Sequence, residues 1–260
     1  MAKKLPAKTD DQTTALTKYD YGQDANAGFT DQHGEDLLIP FIDVLQPLSP
    51  QLEEIHGAKP GMLFNSVTNE TYEHLHFVPA YRDWNFVEFI SRDEGGGFVG
   101  VHAPESPVVV KARAGATGFD YKTPDGHELV ETFYLYAILV DGNGDQIGMG
   151  VIRFQSTKIK VYKGLMTQLR TIRVDTPKGK VNPPLFAYKL ELSTVKQENK
   201  KGKWFNFTVR PVGDTMKEAM LAPDNELYTA AKQLCAMVDK GFAKPAYESM
   251  DQGGDDDTPF

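Results

Sequence analysis

Apolar side chains follow a strand-like pattern in separate runs between residues 75 and 155, then shift to a helical spacing, then return to alternation. The runs Leu75-His-Phe-Val-Pro-Ala-Tyr81 and Trp84-Asn-Phe-Val-Glu-Phe-Ile90 are dense in aromatic and β-branched residues and predict strands. Pro79 marks an edge or a break in the first. A clear strand covers residues 131–140, Asp141-Gly-Asn-Gly-Asp145 turns the chain, and residues 148–155 return as its hairpin partner. Ser156 then supplies a helix cap, and Ile159, Tyr162, Leu165, Met166, Leu169, Ile172 and Arg173 recur at helical spacing. The stretch from Pro177 to Pro184 ends that helix. Strands over 185–196 and 203–212 follow, joined by the basic loop Glu198-Asn-Lys-Lys-Gly202. Phe186, Tyr188, Leu190 and Leu192 share one face of the first. In the second, Phe205, Phe207 and Val209 share a face expected to be core, and Trp204, Asn206, Thr208 and Arg210 share the other.

The flanking regions read more simply. Residues 1–35 carry few large apolar side chains, so they are expected to remain disordered. Residues 36–46 are apolar and extended, broken by Pro40, and Ser49-Pro50 and Lys59-Pro60-Gly61 mark turns. The glycine- and proline-rich segment 103–126 is expected to be loop, with a short strand at Val108-Val-Val-Lys-Ala112. Residues 214–222 and 225–242 predict two helices separated by Pro223, and the chain ends in an acidic tail. The resulting fold class is mainly β with α. The order of strands, helix and strand pair is that of an OB-fold, a five-stranded Greek-key barrel with a helix between strands 3 and 4. Its first strand is one of the two runs before Gly95, and a C-terminal helix is added to it. The domain spans 36–245, with tails at 1–35 and 246–260.

Charge gives this scaffold a direction. Residues 151–210 hold fourteen Lys and Arg against three acidic residues, a net +11 inside a chain of −8, which leaves −19 on the remainder. Phe154, Tyr162, Phe186, Tyr188, Trp204, Phe205 and Phe207 are interleaved with these cations. Cations that track phosphates beside rings that stack on bases suit single-stranded nucleic acid. The candidate contacts are Tyr134, Tyr136, Arg153, Lys158, Lys160, Lys163, Arg170, Arg173, Lys196, Lys200, Lys201, Lys203, Trp204 and Arg210. Trp204 is the preferred stacking residue because it shares a polar strand face with Arg210. No apolar run reaches membrane-spanning length, and no hydrophobic stretch follows Lys3 and Lys4, so a soluble cytoplasmic protein with no membrane partner is expected. The single cysteine, Cys235, excludes an internal disulfide or a cysteine metal cluster within one chain and fits a helical apolar position.

The last residues, Asp255-Asp256-Asp257-Thr258-Pro259-Phe260, resemble the C-terminal tip of bacterial single-stranded-DNA-binding proteins, with Thr258 where that tip usually has an apolar residue. The length, loops, helix and tail are similar to the single-stranded-DNA-binding proteins of tailed bacteriophages. The stretch Ile39-Pro-Phe-Ile-Asp-Val-Leu-Gln46 resembles the start of such proteins. The resemblance implies an OB-fold core that coats single strands in replication or recombination. It also implies a tail whose Asp255, Asp256, Asp257, Pro259 and Phe260 recruit replication proteins. By its charge alone, the tail can also fold back onto the +11 segment and compete with DNA. A homo-oligomer is compatible with this.

Other classes have thinner support. His74 and His76 can share a strand side, but no third ligand accompanies them, so neither metal nor cofactor is expected. Asp141, Asn143 and Asp145 begin like a calcium loop, yet Gln146 and Ile152 replace its glycine and terminal glutamate. Gly95-Gly-Gly97 lacks the lysine and hydroxyl of a phosphate loop. With no catalytic constellation, an enzyme is not expected. The alternatives are an accessory enzyme or metal-dependent nuclease, and a scaffold whose basic face meets an acidic protein.

Overall fold

A computed structural model of the chain describes residues 38–91, 94–200 and 202–247. Its organising element is β8 (Glu128–Val140), whose residues from Thr132 onward are all buried. Such a run arises when both faces of a strand are covered. Leu135, Ala137 and Leu139 enter one apolar cluster together with Tyr162, Leu165 and Leu169 of α3 (Lys158–Thr171). Tyr134, Tyr136, Ile138 and Val140 enter a second, closed by Ala231 and Leu234 of α4 (Glu226–Asp239).

β8 lies between β5 (Leu75–Phe89) and β9 (Gln146–Gln155) in an antiparallel meander. The two runs predicted around Pro79 are one strand of 15 residues. Pro79 is accommodated because the register against β8 shifts between Pro79 and Tyr81, a local irregularity at which proline is tolerated. The hairpin turn between β8 and β9 is the expected one. Asp141 Oδ1 accepts from the backbone N–H of Asn143, Gly144 and Asp145, and Gly144 adopts φ +99°.

Beyond β9 the sheet continues through β2 (Phe41–Val44), which pairs parallel to it, then, after the single turn α1 (Gln51–Glu54), β3 (Leu63–Asn65) and β4 (Thr71–Tyr72). On the other side β5 pairs with β12 (Leu190–Asn199), and β12 with β13 (Gly202–Pro211). Short strands β6 (Phe98–His102) and β7 (Tyr121–Lys122) flank β5 and β8. Beside this ten-stranded mixed sheet lie two small pairs: β1 (Leu38–Ile39) with β14 (Lys244–Pro245), and β10 (Val174–Thr176) with β11 (Gly179–Val181).

The sheet curls until β13 meets the β2–β3 end. Gln46, just past β2, acts as one rung of a ladder: its Nε2 donates to Phe205 O and its Oε1 accepts from Phe205 N–H, both at 2.9 Å. Thr194 Oγ1 donates to Gly61 O alongside. Gly61 has φ +92°, and a Cβ there would lie 2.5 Å from the Phe205 ring.

Four expectations change. The principal sheet has ten strands rather than five, because the segment 41–72 contributes strands and β6 and β7 add to the edges. The Val108–Ala112 stretch belongs to a helix, α2 (Pro107–Gly115), started by the Ser106 side chain accepting from Val109 N–H and by Pro107 in the first turn. Residues 214–222 do not form a helix, since Lys189 N–H donates to Ala219 O and Leu221 N–H to Ala187 O, drawing that backbone into bridges. The strand predicted from 185 starts at Leu190, after a 3₁₀ turn over Leu185–Ala187. Among the described residues no helix is long and apolar enough to cross a membrane.

Candidate nucleic-acid interface

α3 begins after Ser156, held at φ +50°, and Thr157. Its inner stripe of Lys158, Tyr162, Leu165 and Leu169 is buried, which turns Lys160, Lys163 and Arg170 to solvent. Lys163 Nζ sits 5.4 Å from the centre of the Phe133 ring, a cation–π contact that leaves the ammonium at the surface. The C-terminal carbonyls of α3 are satisfied from outside the helix. Arg173 Nη1 donates to Arg170 O and Ile172 O, and Asn182 Nδ2 donates to Leu169 O and Ile172 O. Arg173 is thus exposed but partly engaged as a cap. The β10–β11 hairpin extends this surface with exposed Lys178 and Lys180.

The second group of cations lies on the β12–β13 hairpin. β12 pairs with β5 only through Leu190, Glu191 and Leu192, so the arm beyond them extends past the β5 pairing. Lys196, Lys200 and Lys203 are exposed on that arm; Lys203 makes a surface contact of 3.6 Å with Glu198. Arg210 lies near the other end, opposite Glu191 in register. Lys201 and the tail residues Asp255, Asp256, Asp257, Pro259 and Phe260 lie outside the described residues, as does the 1–35 segment.

Five candidates turn inward. Tyr134 is fully buried and Tyr136 nearly so, packed beneath α4. Burial pushes both phenols far above their ordinary range. Trp204 is buried too, with no partner for its indole N–H among the described residues. Alternation along the strand predicts a polar face for it, but that face is covered, and Asn206 beside it is buried against Gln197. Arg153 and Lys158 are buried around Asp43: Arg153 Nε donates to Asp43 Oδ2 at 3.1 Å, its Nη2 to the same oxygen, and Lys158 Nζ to Oδ1 at 3.2 Å. Burial opposes ionisation of Asp43, but the two cations and their hydrogen bonds outweigh it and hold the carboxyl below its usual range. These two basic residues join β2, β9 and α3 instead of facing a phosphate.

Two groupings escaped the sequence pattern. Trp84 is half-buried, stacked on Phe133 at 5.7 Å with its indole N–H donated to Glu131 Oε1, and exposed Arg82 precedes it by one alternation on β5. The alternation Arg82–Trp84–Phe86 is legible in the sequence and Pro79 signals an edge or a break, but the same proline hides that the two runs form one continuous strand. Glu88 binds two histidines, one per oxygen: His127 Nδ1 at 2.7 Å and His102 Nε2 on the other side. Burial raises the Glu88 carboxyl, yet the hydrogen bonds from His127 and His102 prevail and lower it. His74 and His76 have ring centres 6.3 Å apart, and His76 faces Glu191 at 3.6 Å. Among the described residues no group of three or more His, Cys, Asp or Glu side chains is arranged to hold a metal ion.

A family model, that of the Pam3 phage gp34-like proteins, matches residues 9–244, so the chain belongs to this phage protein family. Comparison with curated proteins and with solved structures found no match.

Proposed function

We propose that this phage gp34-like protein binds single-stranded DNA through phosphate contacts with little sequence preference, coating strands exposed in replication or recombination. The observation that carries the reading is the set of eight exposed cations of an acidic chain, Lys160, Lys163, Arg170 and Arg173 on or just after α3, and Lys196, Lys200, Lys203 and Arg210 on the β12–β13 hairpin. The strand order supports it. The meander β5–β8–β9, then α3, then a hairpin whose first strand returns to β5, resembles the order of parts in an OB-fold, set within a ten-stranded sheet in which β2 lies beside β9. In this reading the β12–β13 arm is the loop such folds apply to oligonucleotides. The acidic tail around Asp255, Asp256, Asp257, Pro259 and Phe260 is the contact for replication proteins.

The test is fluorescence anisotropy of a labelled oligo-dT strand and of its duplex across a salt series. Binding of the single strand at low salt, a weaker response to duplex and a steep salt slope are expected. Lys160→Gln with Lys163→Gln should weaken binding and flatten the log–log slope by about 1.4, the release expected for two single-strand phosphate contacts. No binding of either nucleic acid at low salt overturns the proposal and favours a scaffold for an acidic protein.

A further inference from the structure

β5 has a gap along its outer edge. β12 covers it only as far as Phe77, and β6 takes over only at Phe86, so no described strand pairs with the outer edge of residues 78–85. A cavity of about 780 Å³ lies along this gap, walled by β5, residues 103–105, the end of α3 and residues 182–188. That size falls in the range of small-ligand sites, about 300–1,000 Å³.

The wall combines an indole with two cations: Trp84 and Arg82 from β5, and Arg170 from α3. Both guanidiniums line this one cavity, and both lie near enough to the Tyr162 phenol to oppose the rise that its burial causes. Trp84 is held in place by its stack on Phe133, 4° from parallel, and by its bond to Glu131. The neighbouring Asp83 carboxylate is committed, one oxygen accepting from Trp84 N–H and the other from Asn85 Nδ2.

We infer that this groove seats one or two nucleotides of the single strand, with a base against Trp84 and its phosphate between Arg82 and Arg170. The inference rests on the proposed DNA-binding reading and deepens it by giving the strand a stacking site. An open strand edge also suits an extended peptide, but paired guanidiniums beside an indole favour a nucleotide.

The chain has two tryptophans, so each single variant isolates the other as a reporter. Trp84→Phe and Trp204→Phe preserve the aromatic character of both sites. A short oligo-dT strand should quench the fluorescence of wild type and Trp204→Phe, and leave Trp84→Phe almost unquenched. By anisotropy, Arg82→Gln with Arg170→Gln should bind about tenfold more weakly than wild type, while Lys232→Gln with Lys240→Gln, exposed on and beside α4 away from the groove, loses no more than about threefold. Matching circular dichroism spectra establish that all variants are folded. If wild type binds the strand but Trp84→Phe is quenched as strongly as wild type, the groove inference fails and the DNA-binding reading stands. The groove inference fails in the same way if the two double variants bind equally, or if an acidic peptide quenches Trp84 while DNA does not. If wild type does not bind the strand by anisotropy, the DNA-binding reading itself fails.

Discussion

At the scale of single residues, the chain places its buried charge where a fold of mixed strands needs fixing. Asp43 is the counter-charge for Arg153 and Lys158, one on β9 and one at the start of α3. Replacing Asp43 by Asn keeps the shape but leaves two buried cations without that charge, a change that typically costs about 3–5 kcal/mol. Urea unfolding should show a lower midpoint with an unchanged m-value, whereas a loss below about 1 kcal/mol would mean that the network is not a determinant of stability. Glu88 gives a second prediction, this time in pH. Its carboxyl is depressed in the folded state below the ordinary 4.5. A depressed carboxyl stabilises the fold fully above its unfolded value, and that contribution is lost as pH falls through the folded value. The melting-temperature gap between wild type and Glu88→Gln should therefore hold above pH 4.5 and close below it. A gap that widens on acidification would show that His102 and His127 do not stabilise the ionised Glu88.

At the scale of elements, the closure of the sheet depends on groups that carry no strand signal. Gly61 meets both conditions that exclude a side chain: a left-handed φ of +92°, and the Phe205 ring only 2.5 Å from where a Cβ would stand. Gly61→Ala should lose about 2–4 kcal/mol, from backbone strain together with overpacking, measured as a shift in the thermal midpoint. Retention of wild-type stability would show that the β13 contact is dispensable. The turn at Lys59-Pro60-Gly61 was legible because proline and glycine announce it. So were β8, β9, α3 and the β12–β13 pair as elements, because dense apolar runs, a turn signal and a helical stripe mark them. What stayed hidden was set by distant partners. Gln46 pairs with Phe205 across 159 positions, and the bridge from Ala219 and Leu221 to the backbone of 187–189 overrides a helical pattern. The site was legible to the same extent. Exposed cations on α3 follow from its apolar stripe, whereas the inward turn of Trp204, Arg153 and Lys158 follows from what covers their strand and helix.

At the scale of the whole molecule, the division of charge is the feature to test. A +11 segment in a chain of −8 must coexist with −19 elsewhere, and residues 251–257 alone hold four aspartates. If those carboxylates compete with phosphates for the cations of α3 and the β12–β13 arm, removing residues 251–260 leaves the cations in place and removes the competitor. A chain ending at residue 250 should then bind oligo-dT about three- to tenfold more tightly at low salt, as expected for a local change in field of a few charges. The gain should shrink as salt screens the interaction, since the Debye length falls from about 10 Å at 0.1 M to about 3 Å at 1 M. The full-length chain should also show the shallower salt dependence of the two, because releasing its own carboxylates offsets part of the counterion release that drives binding. Equal or weaker binding by the shortened chain would mean that the tail does not occupy the DNA surface. The proposed contact of the tail with replication proteins would then be separable from strand binding, and the same truncation should abolish that capture without changing affinity for the strand.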